Sequence, residues 1–135
     1  MPSTFQCTLA TPEEQVLDDP VTYASIPAWD GQIGIAPSRA PLLAKLGLGA
    51  LRLDYADGRS RSFLLGRGFV QMKDNKLSML ATEALPAEGI TREDAEQALE
   101  QARSRTSQTT DEVAEKQQQI SRAKAMLRLA QAQTG

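Results

Sequence analysis

The chain has 135 residues, enough for one modest hydrophobic core or for one domain with an appendage. Its 15 basic and 17 acidic residues nearly balance and aromatic residues make up only 4%, which argues against a nucleic-acid-binding surface. It contains no histidine and a single cysteine, Cys7, which excludes Ser-His-Asp and Cys-His catalysis, an internal disulfide and most transition-metal sites.

Common enzyme motifs and targeting signals are also missing from the sequence. No phosphate-binding G-x-x-x-x-G-K-[ST] loop occurs, and paired acids such as Asp18 and Asp19 lie in polar contexts that are typical of turns and of solvated charge. No apolar run reaches 18 residues, and residues 1–15 lack both a signal-peptide core and a transit-peptide composition. We therefore expect a soluble cytoplasmic protein that is not an enzyme by itself and needs no cofactor.

The first predicted strands follow from alternating side chains. Phe5, Cys7 and Leu9 share one face of a strand, and "TPEE" ends it. A second strand is predicted from Val21 to Ile26, with apolar groups on both faces, and Pro27 is expected to end it.

Residues 31–43, "GQIGIAPSRAPLL", are predicted to form one short loop. Its glycines allow positive φ angles and close backbone approach, and its prolines fix φ, so Gly34, Pro37 and Pro41 are expected to give the loop a rigid shape. A rigid loop with small side chains suits a flat contact with another protein. The alternative is an ordinary loop at a sheet edge whose glycines serve its turns.

Two hairpins are predicted after this loop. Residues 50–55 and 61–65 flank a turn at Asp57-Gly58, and residues 68–72 and 76–80 flank Lys73-Asp74-Asn75. Many short strands with no helix between them indicate a β-sandwich or barrel. Each inward face is thin, so we expect a sandwich of two packed sheets.

The composition changes near residue 86, which predicts two domains, residues 1–86 and 87–135. Every proline, every aromatic residue and all of the 9 glycines except Gly89 and Gly135 precede this point. Alanine, glutamine and charged residues dominate after it. The fold class is therefore predicted as α+β, with an N-terminal β-sandwich and a C-terminal helical hairpin.

Two amphipathic helices are predicted in the second part. Thr91 and Asp94 resemble a capping box that starts the first helix, and its apolar stripe is Ala95, Ala98, Leu99 and Ala102. Thr109 and Glu112 form a capping box for a second helix of about 20 residues, with a stripe of Val113, Ile120, Ala123, Leu127 and Ala130. The short polar segment between them predicts an antiparallel hairpin. Alanine-rich stripes hold such a hairpin weakly, so release and permanent docking both remain open.

The sequence resembles the epsilon subunit family of the bacterial F-type ATP synthase, from Phe5 to about Ala130. The family's G-x-x-G-I-x-P-x-H-A-P-L-L run is matched at Gly31, Gly34, Ile35, Pro37, Ala40, Pro41, Leu42 and Leu43. A second block, residues 66–84, matches the family at Gly68, Phe69, Val70, Asn75, Leu80, Ala81 and Ala84. Residues 125–130, "AMLRLA", resemble a run in the family's last helix.

This resemblance implies a non-catalytic rotor subunit that links the gamma subunit to the c ring in proton-driven ATP synthesis. By motif position, Asp30, Gly31 and Gln32 would contact the c ring. In the family the hairpin can extend along gamma, and its basic residues then meet the beta subunit and block ATP hydrolysis. The matching candidates here are Arg122, Lys124 and Arg128, together with Lys116, which falls on the apolar stripe itself. The resemblance also implies a peripheral location at the cytoplasmic face of the bacterial inner membrane, with membrane association only through the complex.

Three positions depart from the family pattern. Arg39 stands where the family has His, and Thr82 where it has Asp, a change for which no physical reason is evident. In the ATP-binding motif I-D-x-x-R-A, Asp94 replaces the Arg that would meet phosphate, and two anions repel each other, so strong ATP sensing is not expected. The alternative function, of a different class, is a free-standing sandwich-plus-hairpin adaptor for another helical partner.

Overall fold

The structure is a computed structural model that describes residues 3–134. They form two compact units, the first ending at Pro86 and the second beginning at Ala87. The strands of the first unit are β1 (Phe5–Ala10), β2 (Gln15–Val21), β3 (Tyr23–Ala28), β4 (Gly31–Ile35), β5 (Leu42–Leu46), β6 (Gly49–Asp54), β7 (Ser60–Leu65), β8 (Gly68–Lys73), β9 (Lys76–Ala81) and β10 (Ala84–Pro86). The second unit holds a 3-10 turn (Ala87–Gly89) and the helices α1 (Arg92–Ser104) and α2 (Thr110–Thr134).

The strands form one hydrogen-bonded sheet that folds over into two halves. The first half has the order β4-β3-β6-β7-β10, and the second half has the order β5-β8-β9-β1-β2. Strand β3 joins the two halves. Residues 23–25 of β3 pair with β6 of the first half, and Ala28 pairs with Leu46 in β5 of the second half. Strand β1 pairs with β9 in parallel, and the other pairs described are antiparallel.

The hydrophobic core lies between the two halves. Phe5, Cys7 and Leu9 are at most 1% exposed, which confirms the face predicted from their alternation, and both Phe63 of the first half and Met72 of the second are fully buried. Burial of each large apolar side chain contributes about 1.5–3 kcal/mol to the free energy of unfolding. No polar or charged residue is buried among residues 3–132. The predicted fold class, a sandwich followed by a two-helix hairpin, is confirmed.

The strand predicted from Val21 to Ile26, with Pro27 ending it, is wrong at both ends. Thr22 interrupts it, because its backbone N–H and its hydroxyl both donate hydrogen bonds to the Asp54 carbonyl, at 2.8 and 3.0 Å. Pro27 stays inside β3, because its carbonyl still accepts a hydrogen bond from the Gly47 N–H at 2.8 Å. Asp18 and Asp19, expected in a turn-like context, lie in strand β2.

Both predicted hairpins are confirmed. Gly58 supplies the positive φ (90°) of the β6–β7 turn. In the β8–β9 turn, Asp74 and Asn75 both have positive φ angles of 52° and 60°, as a type I′ turn requires.

A side-chain contact ties the end of β6 to the edge strand β2. The Tyr55 hydroxyl donates a hydrogen bond to Asp19 Oδ2 at 2.8 Å. Desolvation by burial, together with the neighbouring Asp19 carboxylate, raises the pKa of Tyr55 to about 12. The phenol therefore keeps its proton, and this hydrogen bond, throughout the neutral pH range.

Helix starts in the second unit agree with the predicted caps. The Thr91 hydroxyl accepts a hydrogen bond from the Asp94 N–H at 3.0 Å, and the Thr109 hydroxyl accepts one from the Glu112 N–H at 3.1 Å. The two helices pack against each other, and Arg105 in their linker pairs with Glu115 of α2 at 2.5 Å. With 25 residues, α2 is longer than predicted.

The predicted apolar stripe of α2 is wrong at its beginning. Val113 is 46% exposed, whereas Ala123, Met126 and Ala130 are buried. The buried side of α1 consists mainly of alanines, and such short side chains cover little of a neighbouring helix. Burial in α2 is therefore concentrated in its C-terminal half.

Cys7 is predicted to be inert in the folded protein. Burial raises the pKa of its thiol to about 12, and the carboxylates of Asp19 and Asp18 act in the same direction. Because the thiolate is the reactive form, a thiol reagent at pH 8 should leave Cys7 unmodified until denaturant is added. An Ala56→Cys variant, with an added exposed thiol, should take up one equivalent in the native state. Native labelling of Cys7 as fast as in denaturant would contradict its burial.

Candidate partner-binding surfaces

Residues 31–43 do not form a single loop, contrary to the sequence prediction. Residues 31–35 form β4, paired along its length with β3, and residues 42–46 form β5. Ile33 and Ile35 alternate as in a strand, but Gly31 and Gly34 are typical of turns and made the segment resemble a loop. At about 3.3 Å per residue, β4 separates the turn at its start from the loop at its end by about 13 Å. The segment thus offers two contact points, the turn at residues 29–31 and the loop at residues 36–41.

The turn at residues 29–31, here called the tip, connects β3 to β4 and is exposed. Gly31 has a φ of 134°, a backbone conformation that residues with a side chain rarely adopt. Asp30 is exposed, and Trp29 is 71% exposed. The tip therefore presents an indole and a carboxylate on a backbone that needs glycine.

Gln32, grouped with the tip by the sequence, lies on the sheet face instead. Its Nε2 donates a hydrogen bond to the Ala50 carbonyl at 3.1 Å, and its Oε1 accepts one from the Ser25 hydroxyl at 3.1 Å. Its amide therefore spans β3 and reaches β6. The structure brings Asp30 and Gly31 together at the tip. Both ends of the Gln32 amide are instead hydrogen-bonded to β3 and β6.

Gly34, predicted to shape a loop, lies within strand β4. Its φ is not positive, but a Cβ there would lie 2.0 Å from the Tyr23 hydroxyl oxygen. The missing side chain thus makes room for the Tyr23 ring on the sheet face.

The loop at residues 36–41 contains the predicted Pro37 and Pro41. Pro37 is half-buried and Pro41 is exposed. Between them Ser38 has a φ of 64°, which is uncommon for a residue with a side chain. The backbone N–H of Ser38 donates a hydrogen bond to Asn75 Oδ1 at 2.9 Å.

An exposed apolar patch begins at the tip, and the sequence reasoning missed it. It consists of Trp29, Leu43, Phe69 and Leu80, which are 71%, 76%, 58% and 51% exposed. Phe69 on β8 pairs with Leu80 on β9 and with Lys45 on β5. Trp29, Leu43 and Phe69, with Lys45 at the side, line a cleft of about 460 Å³. The signal in the sequence was an apolar residue at an outward position in each of three strands, but their adjacency depends on the strand order.

The predicted basic contact residues on α2 do not form one cluster. Lys124 and Arg128 are exposed and lie one turn apart on the same side of the helix. Arg122 is half-buried, with Nη1 3.3 Å from Met126 Sδ, and lies roughly 160° around the helix from Lys124.

Neither a membrane-spanning helix nor a cluster of metal ligands occurs in the described part of the chain. No helix within residues 3–134 is long and apolar enough to cross a membrane. The same residues contain no group of acidic and Cys side chains placed to hold a metal ion.

Known proteins resemble the chain over most of its length. Residues 4–87 match the family described as the ATP synthase delta/epsilon chain β-sandwich domain. The ATP synthase epsilon chain of Rhodopirellula baltica is 32% identical over 92% of this chain and 96% of its own length. That of Bacillus subtilis is 34% identical over 81% of this chain and 82% of its own.

Solved structures agree with these sequence relatives. A chain in the OSCP/F1/c-ring structure of the Euglena gracilis mitochondrial ATP synthase superimposes with a TM-score of 0.79 and 27% identity, over 100% of this chain and 84% of that one. A central stalk/c-ring structure from Tetrahymena thermophila shares the fold, with a TM-score of 0.72 and 15% identity over 93% and 95% of the two chains. The β-sandwich match, the full-length relatives and the two-helix C-terminal unit agree, and the chain belongs to the ATP synthase epsilon chain family.

Proposed function

We propose that this chain is a non-catalytic rotor subunit of the central stalk, which links the gamma subunit to the c ring in proton-driven ATP synthesis and restrains ATP hydrolysis through its helical hairpin. It would act peripherally, at the cytoplasmic face of the bacterial inner membrane. The observation that carries the proposal, beyond family membership, is the exposed apolar patch that is continuous with the tip.

The apolar patch is the proposed contact with gamma. Leu43 and Phe69 are large, project from strands and are mostly exposed, which is costly unless a partner covers them. Aromatic anchors such as Trp29 and Phe69 are typical of residues that dominate binding energy. Lys45 at the edge of the cleft favours an acidic group on the partner.

The tip is the proposed contact with the polar loops of the c ring. Asp30 is exposed there, and Gly31 lets the backbone approach a partner closely. Because Trp29 belongs to both the tip and the patch, one edge of the sandwich can touch both partners at once. Gln32 supports this contact indirectly, by fixing β4 to β3 and β6.

The hairpin is the proposed brake on ATP hydrolysis. Lys124 and Arg128 present two positive charges on one side of α2, and an acidic segment of the beta subunit is the expected target. Arg122 points elsewhere around the helix, so its contribution is expected to be small.

The test is ATP hydrolysis by the catalytic head stripped of this chain and titrated with it. The full chain should inhibit, a version ending at Pro86 should bind without inhibiting, and Lys124→Ala with Arg128→Ala should relieve most of the inhibition. A Gln117→Ala, Ser121→Ala variant changes two exposed residues one turn apart on the same side of the helix. It is the matched control and should inhibit like the wild type.

Each other outcome has a definite meaning. If the full chain binds but does not inhibit, it is a coupler without a brake. If Arg122→Ala relieves inhibition as strongly as the Lys124/Arg128 pair, the charge assignment is wrong. If neither version binds the catalytic head, the rotor proposal fails and the adaptor function takes its place.

A further inference from the structure

Asn75 lies in the β8–β9 turn at a position where glycine would be less strained. Both central residues of this turn, Asp74 and Asn75, have positive φ angles. In such type I′ turns the second position favours glycine, because a Cβ there is crowded. Asparagine tolerates the conformation better than most residues, but glycine adopts it at lower cost. The presence of a side chain here calls for a reason.

The Asn75 side chain connects two segments that are distant in the sequence. Its Oδ1 accepts a hydrogen bond from the Ser38 N–H at 2.9 Å, and its Nδ2 donates one to the Thr4 carbonyl at 2.9 Å. The Asn75 backbone carbonyl also accepts a hydrogen bond from the Gln6 N–H at 3.2 Å. One residue therefore ties the loop at residues 36–41 to the beginning of β1 and to the β8–β9 turn.

The loop needs such a tie, because Ser38 is held in an unfavourable conformation. Its φ of 64° lies in the left-handed region, where a residue with a side chain is strained. Its N–H would lose its partner on the protein if the Asn75 amide were removed. Pro37 and Pro41 restrict their own φ angles and the residues before them, Ala36 and Ala40, but neither restricts Ser38.

We infer that Asn75 is a positioning residue that sets the conformation of the loop at residues 36–41 for contact with gamma, because this loop leads directly to Leu43 of the patch proposed to bind gamma. The choice of partner rests on the proposed rotor function. The two side-chain hydrogen bonds of Asn75, here called the latch, do not depend on that function. Arg39, next to Ser38 in this loop, is a half-buried cation whose Nη1 donates a hydrogen bond to the Ala40 carbonyl at 3.5 Å. The partner surface that it fits is acidic.

Asn75→Gly removes the latch and leaves the β8–β9 turn intact. Glycine adopts the positive φ at position 75 without strain, so β8 and β9 stay paired while both side-chain hydrogen bonds are lost. Asp74→Gly is the matched control, because it makes the same exchange one residue earlier and keeps the amide. Asn75→Asp retains an acceptor for the Ser38 N–H but has no donor for the Thr4 carbonyl, and it should rescue in part.

The first measurement is hydrogen exchange at the Ser38 amide in the full-length chain. We expect Asn75→Gly to speed this exchange about tenfold, and Asp74→Gly to leave it unchanged. Thermal unfolding of the two variants should differ little. If Ser38 exchanges in Asn75→Gly as it does in the wild type, the latch does not exist and the inference is overturned.

The second measurement is affinity for the catalytic head that contains gamma but lacks this chain. Asn75→Gly should bind about tenfold more weakly and Asp74→Gly like the wild type. Faster exchange at Ser38 with unchanged binding overturns the positioning role, while the rotor proposal stands. If the wild type does not bind, the rotor proposal is wrong, and so is the partner proposed for this loop. The hydrogen-exchange result would still show whether the latch exists.

Discussion

Gly68→Ala is expected to destabilise the sandwich by about 3 kcal/mol. A Cβ at position 68 would lie 1.8 Å from the Leu80 carbonyl oxygen and 2.8 Å from the Ala81 Cα, both of them backbone atoms of the paired strand β9. A flexible side chain could turn away, but a hydrogen-bonded strand cannot move without disturbing its neighbours. The measurement is urea unfolding of the full chain followed by circular dichroism.

Gly89→Ala is the matched control for this prediction. A Cβ at position 89 would meet nothing within 4 Å, and no positive φ is required there. We expect a change within about 0.5 kcal/mol. Equal effects of the two substitutions would show that the cost comes from glycine replacement in general and not from the contact with β9.

Trp29→Ala is expected to weaken binding to the gamma-containing catalytic head about 30-fold, corresponding to about 2 kcal/mol. The indole is 71% exposed in the isolated chain and lines one side of the apolar cleft. On the proposed interface it would be desolvated, and alanine would leave the cleft partly empty. Because the side chain contributes little to the core, the free energy of unfolding should change by less than about 0.5 kcal/mol. A titration of labelled chain into the catalytic head measures the affinity.

Tyr23→Ala provides an aromatic control outside the patch. Tyr23 is 41% exposed and its ring packs beside Gly34 in the first half of the sheet. We expect its affinity for the catalytic head to stay within about threefold of the wild type. If Tyr23→Ala weakens binding as much as Trp29→Ala, or if neither does, the apolar patch is not the gamma contact.

Local signals allowed much of the fold to be predicted. Gly58 and the Asp74-Asn75 pair marked two hairpin turns, and Thr91 and Thr109 marked two helix starts. In each case the conformational preference belongs to the residue itself or to a neighbour within four positions. Such features are readable from sequence because no distant part of the chain decides them.

Strand β2 was not predicted, because it is stabilised by pairing with another strand and not by its own residue preferences. Its sequence contains Asp18, Asp19 and Pro20, which individually favour turns. It lies at the outer edge of the second half and pairs only with β1 among the described strands, so a missing proline N–H costs no ladder hydrogen bond. The favourable pairing with β1 outweighs the local preferences.

The candidate sites depended on distant neighbours even more strongly. Gln32 leaves the tip because Ala50, 18 residues away, accepts its hydrogen bond. The apolar patch forms because β5, β8 and β9 are adjacent in the sheet. The beginnings of β5 and β8 are 26 residues apart in the sequence, so only the sheet topology brings Leu43 close to Phe69. These facts follow from non-local pairing, which residue patterns do not specify.

Strand β4, with the tip at one end and the loop at residues 36–41 at the other, has a mechanical consequence. Its backbone pairs only with β3 among the described strands, by antiparallel hydrogen bonds that run perpendicular to the strand direction. A pull between two partners held at its opposite ends would run along the strand. All the β3–β4 hydrogen bonds would then carry the load together, in shear, and would resist it far better than a peeling force that breaks them one after another.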